Sequence, residues 1–93
     1  MISTPTSTVQ PRRRDGLEEQ SIGGDLMVYD AREGAVHLLN ESAAHIYSLC
    51  DGSHDLDSIE RDLRAEFKVP GDRDVRSDVL GALRALRSKQ LVF

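Results

Sequence analysis

The sequence has little of what disulfide bonds or a membrane span would require. Cys50 is the single cysteine, so an internal disulfide is excluded and a reducing compartment suits the chain. No apolar run approaches the roughly 18 residues of a membrane span, and the N-terminus has no apolar signal core. We therefore expect a cytoplasmic protein with no membrane partner.

Residues suited to catalysis are also scarce. His37, His45 and His54 fall on a predicted strand, a helix and a turn, and none of them has the spacing of a metal-ligand pair. Gly23 and Gly24 are interpreted as a hairpin turn and not as a phosphate-binding loop. We predict that the protein is not an enzyme and has no catalytic residues, no metal ligands and no cofactor.

Charge and length narrow the possibilities further. The 93 residues suffice for one domain, and 12 basic against 16 acidic residues give a net charge of -4. An acidic chain is poorly suited to binding nucleic acid. Ser, Thr and Pro dominate the N-terminus, so we predict a flexible tail over residues 1–15 and a folded domain over residues 16–93. The run Arg12 to Arg14 is interpreted as solvated charge at the domain edge.

The folded part begins with a predicted three-stranded antiparallel sheet. An apolar run over residues 26–29 is followed by Gly34, which can adopt the positive φ that returns the chain as a strand over Ala35 to Leu39. A further strand over Gly16 to Ile22 completes the sheet. Ala35 to Leu39 then lies at an edge. Because this strand is nearly apolar on both sides, the sequence leaves open which side lines a binding groove.

Three helices are predicted after the sheet. Asn40 caps the first helix, and Asp55 caps the second, whose apolar residues recur with helical spacing. Pro70 ends the second helix, and Asp72 caps a third helix that extends to about Lys89. The predicted fold class is therefore α+β, a sheet followed by three helices in an arrangement like a winged helix-turn-helix.

The third helix has two stripes of different character when its residues are placed at about 100° per position. One stripe is the apolar core face, with the residues Val75, Val79, Ala82, Leu83 and Leu86. Beside it lies a stripe of four arginines and one leucine, with the residues Arg73, Arg76, Leu80, Arg84 and Arg87. The position of Leu80 among arginines suits an apolar contact with a partner. The alternative is that the arginines are solvated and that Leu80 merely widens the apolar core face.

The junction of the sheet and the helices resembles one protein family. An apolar strand ends in Leu-Asn at residues 39 and 40, a short helix follows, and the sequence Cys-Asp-Gly at residues 50–52 precedes a second helix that opens after Asp55. With the hairpin before it and the long third helix after it, this series resembles the PqqD-like peptide chaperones. These are leader-peptide recognition domains that serve enzymes modifying ribosomally made peptides. The resemblance covers Gly16 to Phe93.

The resemblance implies a binding function and a set of site residues. A leader peptide would bind in extended form beside the edge strand, with backbone pairing to Ala35, Val36, His37 and Leu38. The third helix would bound the groove, where Leu80 and Leu83 would contact an apolar leader residue. Arginines would attract acidic leader residues; they are Arg73, Arg76, Arg84 and Arg87. The implied partners are a precursor peptide and a maturation enzyme such as a radical SAM protein, a protease or a cyclase.

Two other functions stay open at this point. A winged-helix DNA-binding regulator would use the arginine stripe as its recognition face, although the net negative charge and the position of the sheet before the helices disfavour it. A purely structural subunit would dock on an enzyme without reading any leader peptide. A pull-down with candidate precursor peptides separates the three functions.

Overall fold

The structure, a computed structural model, describes residues 10–93. It has three strands followed by three helices, which confirms the predicted α+β class. The elements are β1 (Leu17–Ile22), β2 (Asp25–Asp30), β3 (Ala35–Leu39), α1 (Glu41–Ser48), α2 (Leu56–Phe67) and α3 (Val75–Ser88). In the described part of the chain, none of the helices has the length and hydropathy that crossing a bilayer would take.

The strands form one antiparallel sheet in the order β1-β2-β3. Tight hairpins join them, and Gly23 (φ 62°) and Gly34 (φ 64°) adopt the left-handed conformation that the turns need. Glycine tolerates this conformation because it has no Cβ. β3 is therefore an edge strand, as predicted, and β1 forms the opposite edge.

Side-chain caps set where the first two helices begin. Asn40 Oδ1 accepts a hydrogen bond from Ala43 N at 2.9 Å, and Asp55 Oδ1 accepts one from Ser58 N at 2.9 Å. Each bond satisfies an amide of the first turn that has no partner within the helix. Both predicted caps are confirmed.

The predicted cap of the third helix is wrong. Asp74 accepts from Ser77 N at 3.1 Å, so the helix begins two residues later than a cap at Asp72 would place it. The delay has a local cause: Arg73 N donates to Pro70 O at 3.1 Å, and this turn takes up the residues around Asp72. Two aspartates in one stretch are equally good caps, and the turn after proline decides between them.

The core lies between the helices and the inner face of the sheet. α1 is central, since it packs against β2, β3 and both other helices. Its Tyr47 is among the largest fully buried side chains, at 1% exposed. The core also contains buried apolar residues of β2, β3 and all three helices. They include Val28, Leu39, Ile46, Ile59, Val79 and Leu86.

The folded unit begins before the predicted boundary at residue 16. Arg12 forms an isolated antiparallel bridge with Asp51, and Arg13 forms another with Val92. Residues 11–14 are thereby held to the segment after α1 and to the last residues of the chain. The flexible tail stays a prediction for residues 1–9, which lie outside the described residues.

The arginine side chains explain why this segment is held. Arg13 Nη1 donates to Ser48 O at 2.8 Å, at the C-terminal end of α1 where carbonyls lack partners within the helix. Arg14 forms an ion pair with Asp30, whose side chain is 1% exposed. The predicted solvated run is therefore wrong for Arg13 and Arg14, because backbone carbonyl oxygens engage the guanidinium group of Arg13 and the buried Asp30 carboxylate engages that of Arg14.

Candidate functional site

β3 presents a free edge, and its side chains alternate between solvent and core. On one side it pairs with β2, and among residues 10–93 no strand pairs with its other side. Val36 is 58% exposed and Leu38 62% exposed, whereas Leu39 is 3% exposed and His37 is half-buried. The alternation follows from the pleat of a strand. An added strand would meet free backbone groups here, with Val36 and Leu38 on the outer face.

The two elements predicted to bound the groove are separated. No Cα atom of β3 lies within 8 Å of a Cα atom of α3, and α1 packs against both elements. A strand added to β3 would lie about 4.8 Å away, a position that the backbone of α3 does not fill. Of the two predicted leucines of α3, Leu83 is 8% exposed and belongs to the core, whereas Leu80 is 38% exposed.

Arg76 of α3 is directed towards α2. Its guanidinium group pairs with Asp57, and its Nε lies 3.2 Å from Glu60 Oε1. The hydrogen bond that Arg76 donates to Asp57 raises the pKa of Arg76 above its ordinary value. These acidic residues therefore compete with any acidic peptide for this guanidinium group.

The other arginines of the stripe differ in how far the chain engages them. Arg73 lies in the turn before α3, so its predicted place on the helical stripe is wrong; it pairs with Asp78 at 2.8 Å. Arg87 donates to Phe93 O at 3.3 Å. Arg84 is exposed, and residues 10–93 offer it no hydrogen-bond or ion-pair partner. Of the four predicted arginines, Arg84 is thus the one with a guanidinium group that the described residues leave unpaired.

An apolar cavity of about 590 Å³ opens beside the end of β3. Asn40, which directly follows Leu39, forms part of its rim, so the cavity lies near the C-terminal end of β3. We did not predict this cavity from the sequence. The feature that could have indicated it is the small size of Ala43 on α1 and of Gly81 and Ala82 on α3, which leaves space between the helices. Its apolar lining comes from Ala43, Ile46, Leu63, Phe67, Val69, Val75 and Ala82.

Two ionisable side chains, Tyr47 and Cys50, are buried in the hydrophobic core. Burial raises the pKa of Tyr47 to about 12 and the pKa of Cys50 to about 11. Both side chains are therefore neutral near pH 7, and a protonated thiol is a weak nucleophile. The Tyr47 hydroxyl finds no hydrogen-bond partner among residues 10–93. These groups suit packing and not nucleophilic chemistry.

A serine, a histidine and an aspartate meet in the turn after α1. Asp51 Oδ1 accepts from Ser53 N at 2.9 Å and from Ser53 Oγ at 2.6 Å, and it lies 3.1 Å from His54 Nδ1. The bonds from Ser53, and then the one with His54, hold the pKa of Asp51 well below its usual range. The serine hydroxyl donates to a carboxylate that several donors share, so this cluster stabilises a turn and does not activate a nucleophile. Residues 10–93 contain no group of three or more His, Cys, Asp or Glu residues that could hold a metal ion.

The fold is similar to two solved structures. The structure of TbiB1 in complex with the TbiA(beta) leader peptide is 23% identical, with a TM-score of 0.74, over 87% of this chain and 93% of that one. The structure of lasso peptide synthetase B1 complexed with the leader peptide is 20% identical, with a TM-score of 0.75, over 90% of this chain and 98% of that one. At these identities the similarity shows a shared fold.

Sequence comparison gives the family. No curated protein matches the chain significantly. A family model described as coenzyme PQQ synthesis protein D (PqqD) matches residues 25–92, from β2 through α3 and nearly to the last residue. This match spans most of the chain and includes the hairpin, the Leu-Asn junction and all three helices, so the protein belongs to the PqqD family.

Proposed function

We propose that this protein is a peptide-binding chaperone, which captures the leader of a ribosomally made precursor peptide by strand addition and presents it to a modifying enzyme. The free edge of β3 is the observation that carries the proposal. An exposed apolar edge strand is an aggregation hazard unless a partner covers it. Membership of the PqqD family and the leader peptides bound in both similar structures support the proposal.

The backbone of residues 35–38 supplies affinity in this proposal. An extended peptide pairs its amides and carbonyls with those that β3 leaves free, and its side chains then alternate between the two faces of the enlarged sheet. The apolar cavity beside Asn40 takes one bulky apolar side chain of the leader. Its small lining residues Ala43, Gly81 and Ala82 leave the space for that side chain.

The arginine stripe of α3 supplies electrostatic attraction to acidic leader residues. Arg84 contributes most, because the other three arginines already have partners within the chain. Arg76 and Arg87 of α3, and Arg73 in the turn before it, contribute positive charge without a free guanidinium group. Leu80 and the inner-lying Leu83 stay proposed contacts of an apolar leader residue.

The protein is proposed to act by binding alone, in the cytoplasm. The described part of the chain offers a strand edge and an apolar cavity, and its ionisable clusters stabilise turns and helix ends. DNA binding fits less well, since the chain has a net charge of -4 and most of the arginine stripe is paired. The modifying enzyme is a radical SAM protein, a protease or a cyclase.

Proline substitutions in β3 test strand addition. The amides of neighbouring strand residues point to opposite sides, so of Val36→Pro and His37→Pro one removes a free edge amide and the other removes a bond to β2. We expect the first kind of variant to stay folded and to lose most of its affinity for a synthetic leader peptide that the unmodified protein binds in a pull-down with candidate precursor peptides.

The matched controls are Gln20→Pro and Ser21→Pro in β1, the opposite edge of the sheet. The member of this pair that stays folded should bind the leader peptide as the unmodified protein does. Circular dichroism reports folding, and fluorescence anisotropy of a labelled peptide reports affinity. Unchanged affinity in a folded β3 proline variant would show that β3 is not the peptide site.

A further inference from the structure

The outer face of the sheet is apolar and uncovered. Register places Met27 opposite Leu38 and Tyr29 opposite Val36, so these four side chains form one patch across β2 and β3. Tyr29 is 37% exposed, Val36 58% and Leu38 62%, and Ile22 at the far end of β1 is 49% exposed. The helices pack on the inner face, and no element of residues 10–93 covers the outer one.

This concentration of apolar surface is unusual for the molecule. Six large apolar side chains are exposed in the described chain, and four of them lie on this single face. Scattered exposed apolar residues need no explanation, but a contiguous patch with a polar border marks an interaction site. Aromatic residues such as Tyr29 are enriched at the centre of such sites.

The border of the patch is acidic. Glu18 lies opposite Tyr29, and Asp25 lies opposite Ile22, so both carboxylates share the outer face. The remaining β1 residue of this face, Gln20, lies opposite Met27. The three strands therefore put two acidic residues and no basic residue on this face, and the border calls for a partner with basic residues at matching positions.

We infer that the outer face of the sheet is the docking surface for the modifying enzyme, a partner with an apolar centre and a basic border. The inference rests on the proposed function, because it names the second partner of the same chaperone. A peptide added to β3 would extend this face by one strand, and every second peptide side chain would point to the enzyme. Docking here leaves the free edge of β3 open.

A second copy of the chain fits the face poorly. Two copies stacked face to face would bury Glu18 and Asp25 of both copies with no basic residue of the face to pair with them. Burial of an unpaired charge is costly. Each chain also has a net charge of -4, which adds repulsion between copies.

Variants that spare the peptide site test the inference. The probe is a purified enzyme of one of the proposed classes, a radical SAM protein, a protease or a cyclase, that modifies the peptide bound by this protein, titrated without peptide. We expect Tyr29→Thr to weaken enzyme binding about tenfold, as loss of a central aromatic residue does. Glu18→Lys should weaken binding several-fold, and more at low salt than at high salt. Both variants should keep the affinity for the leader peptide.

Matched controls lie elsewhere on the surface. Phe93→Thr removes an apolar side chain that is 67% exposed, and Glu66→Lys reverses an exposed charge on α2. Both should bind the enzyme normally. If Tyr29→Thr and Glu18→Lys also bind it normally, the inference is wrong, and if only one of them folds, that one decides. Failure of leader binding in the unmodified protein would instead overturn the proposed function.

Hydroxyl-radical footprinting locates the contact in the unmodified protein. We expect the enzyme to protect Met27 and Tyr29 from oxidation and to leave Phe93 reactive. Two results would overturn the inference by naming another occupant. One is a dimer in sedimentation that Tyr29→Thr dissociates, which assigns the face to a second copy. The other is an oxidation rate of Met27 in the free monomer as low as that of a fully buried side chain. This result would mean that residues 1–9 of the same chain cover the outer face.

Discussion

Leu38 and Leu39 are neighbours of identical chemistry, and they lie on opposite faces of the same sheet. Leu39 is 3% exposed among the helices, whereas Leu38 is 62% exposed on the outer face. The helices cover only one face, so burial stabilises the fold through the inner residues and leaves the outer ones free for partners. The comparison of the two faces teaches that apolar character alone does not separate residues that hold this fold from residues that the fold leaves exposed.

Among substitutions that test the difference between the inner and the outer face, we expect the largest loss of stability at Asp30, the buried acid of the inner face. Asp30→Ala would leave the guanidinium group of Arg14, itself mostly buried, without its partner. It would also remove the acceptor for Arg32 N and Glu33 N in the β2–β3 turn. We expect a loss of about 3–5 kcal/mol in the free energy of unfolding. Asp25→Ala on the outer face is the control, and a comparable loss there would contradict the division.

The two leucines give the next comparison. Leu39→Ala opens a cavity among the helices, so we expect it to lower the free energy of unfolding by roughly 2–5 kcal/mol. Leu38→Ala removes a solvent-exposed side chain and should change it by less than about 0.5 kcal/mol. Urea unfolding measured on both variants checks the difference. Equal losses would mean that the outer face is also part of the core.

A smaller effect, visible only at alkaline pH, distinguishes the two tyrosines. Burial raises the pKa of Tyr47 to about 12 in the folded state, above the value of about 10 expected in the unfolded chain. The unfolded state therefore loses a proton first, and stability falls as the pH rises from about 10 to about 12. Tyr47→Phe should reduce this fall, whereas Tyr29→Phe on the outer face should leave it in place. Thermal unfolding at a series of pH values is the measurement.

The smallest effect is expected on the helical surface. Arg76 pairs with the exposed Asp57 and the half-buried Glu60 at the surface of the protein, and surface pairs contribute little because solvent and salt screen them. Arg76→Ala should lower the melting temperature less than any core substitution. At high salt the melting temperatures of Arg76→Ala and of the unmodified protein should be equal. A salt-independent loss as large as that of Leu39→Ala would place Arg76 among the residues that hold the fold.

Local signals made most of the fold predictable from the sequence. Asn40 and Asp55 each accept from an amide three residues ahead, so their roles as caps are written in a short stretch of chain. The hairpin glycines are local in the same sense. Asp72 and Asp74 compete within such a stretch, and the turn at Pro70 decided between them.

The parts of the site that could not be predicted depend on distant residues. The exposed side of β3 is set by helices that follow it in the chain, and the strand itself is apolar on both sides. Arg76 meets acidic residues of α2 that lie in another helix, and the arginines at positions 13 and 14 meet carbonyls and a carboxylate on separate elements. The spacing of residues along a single helix or strand does not indicate these contacts between separate elements.

Phe93 N donates to Arg12 O at 2.8 Å, so the two ends of the described fold lie side by side. A second domain fused before Arg12 or after Phe93 would start from the same corner of the molecule. With linkers of equal length and composition, both fusions would give that domain nearly the same effective concentration at the sheet. Either end can thus serve to tether an enzyme, and under the proposed function the length of the linker, more than the choice of end, decides how often the enzyme and a bound peptide meet.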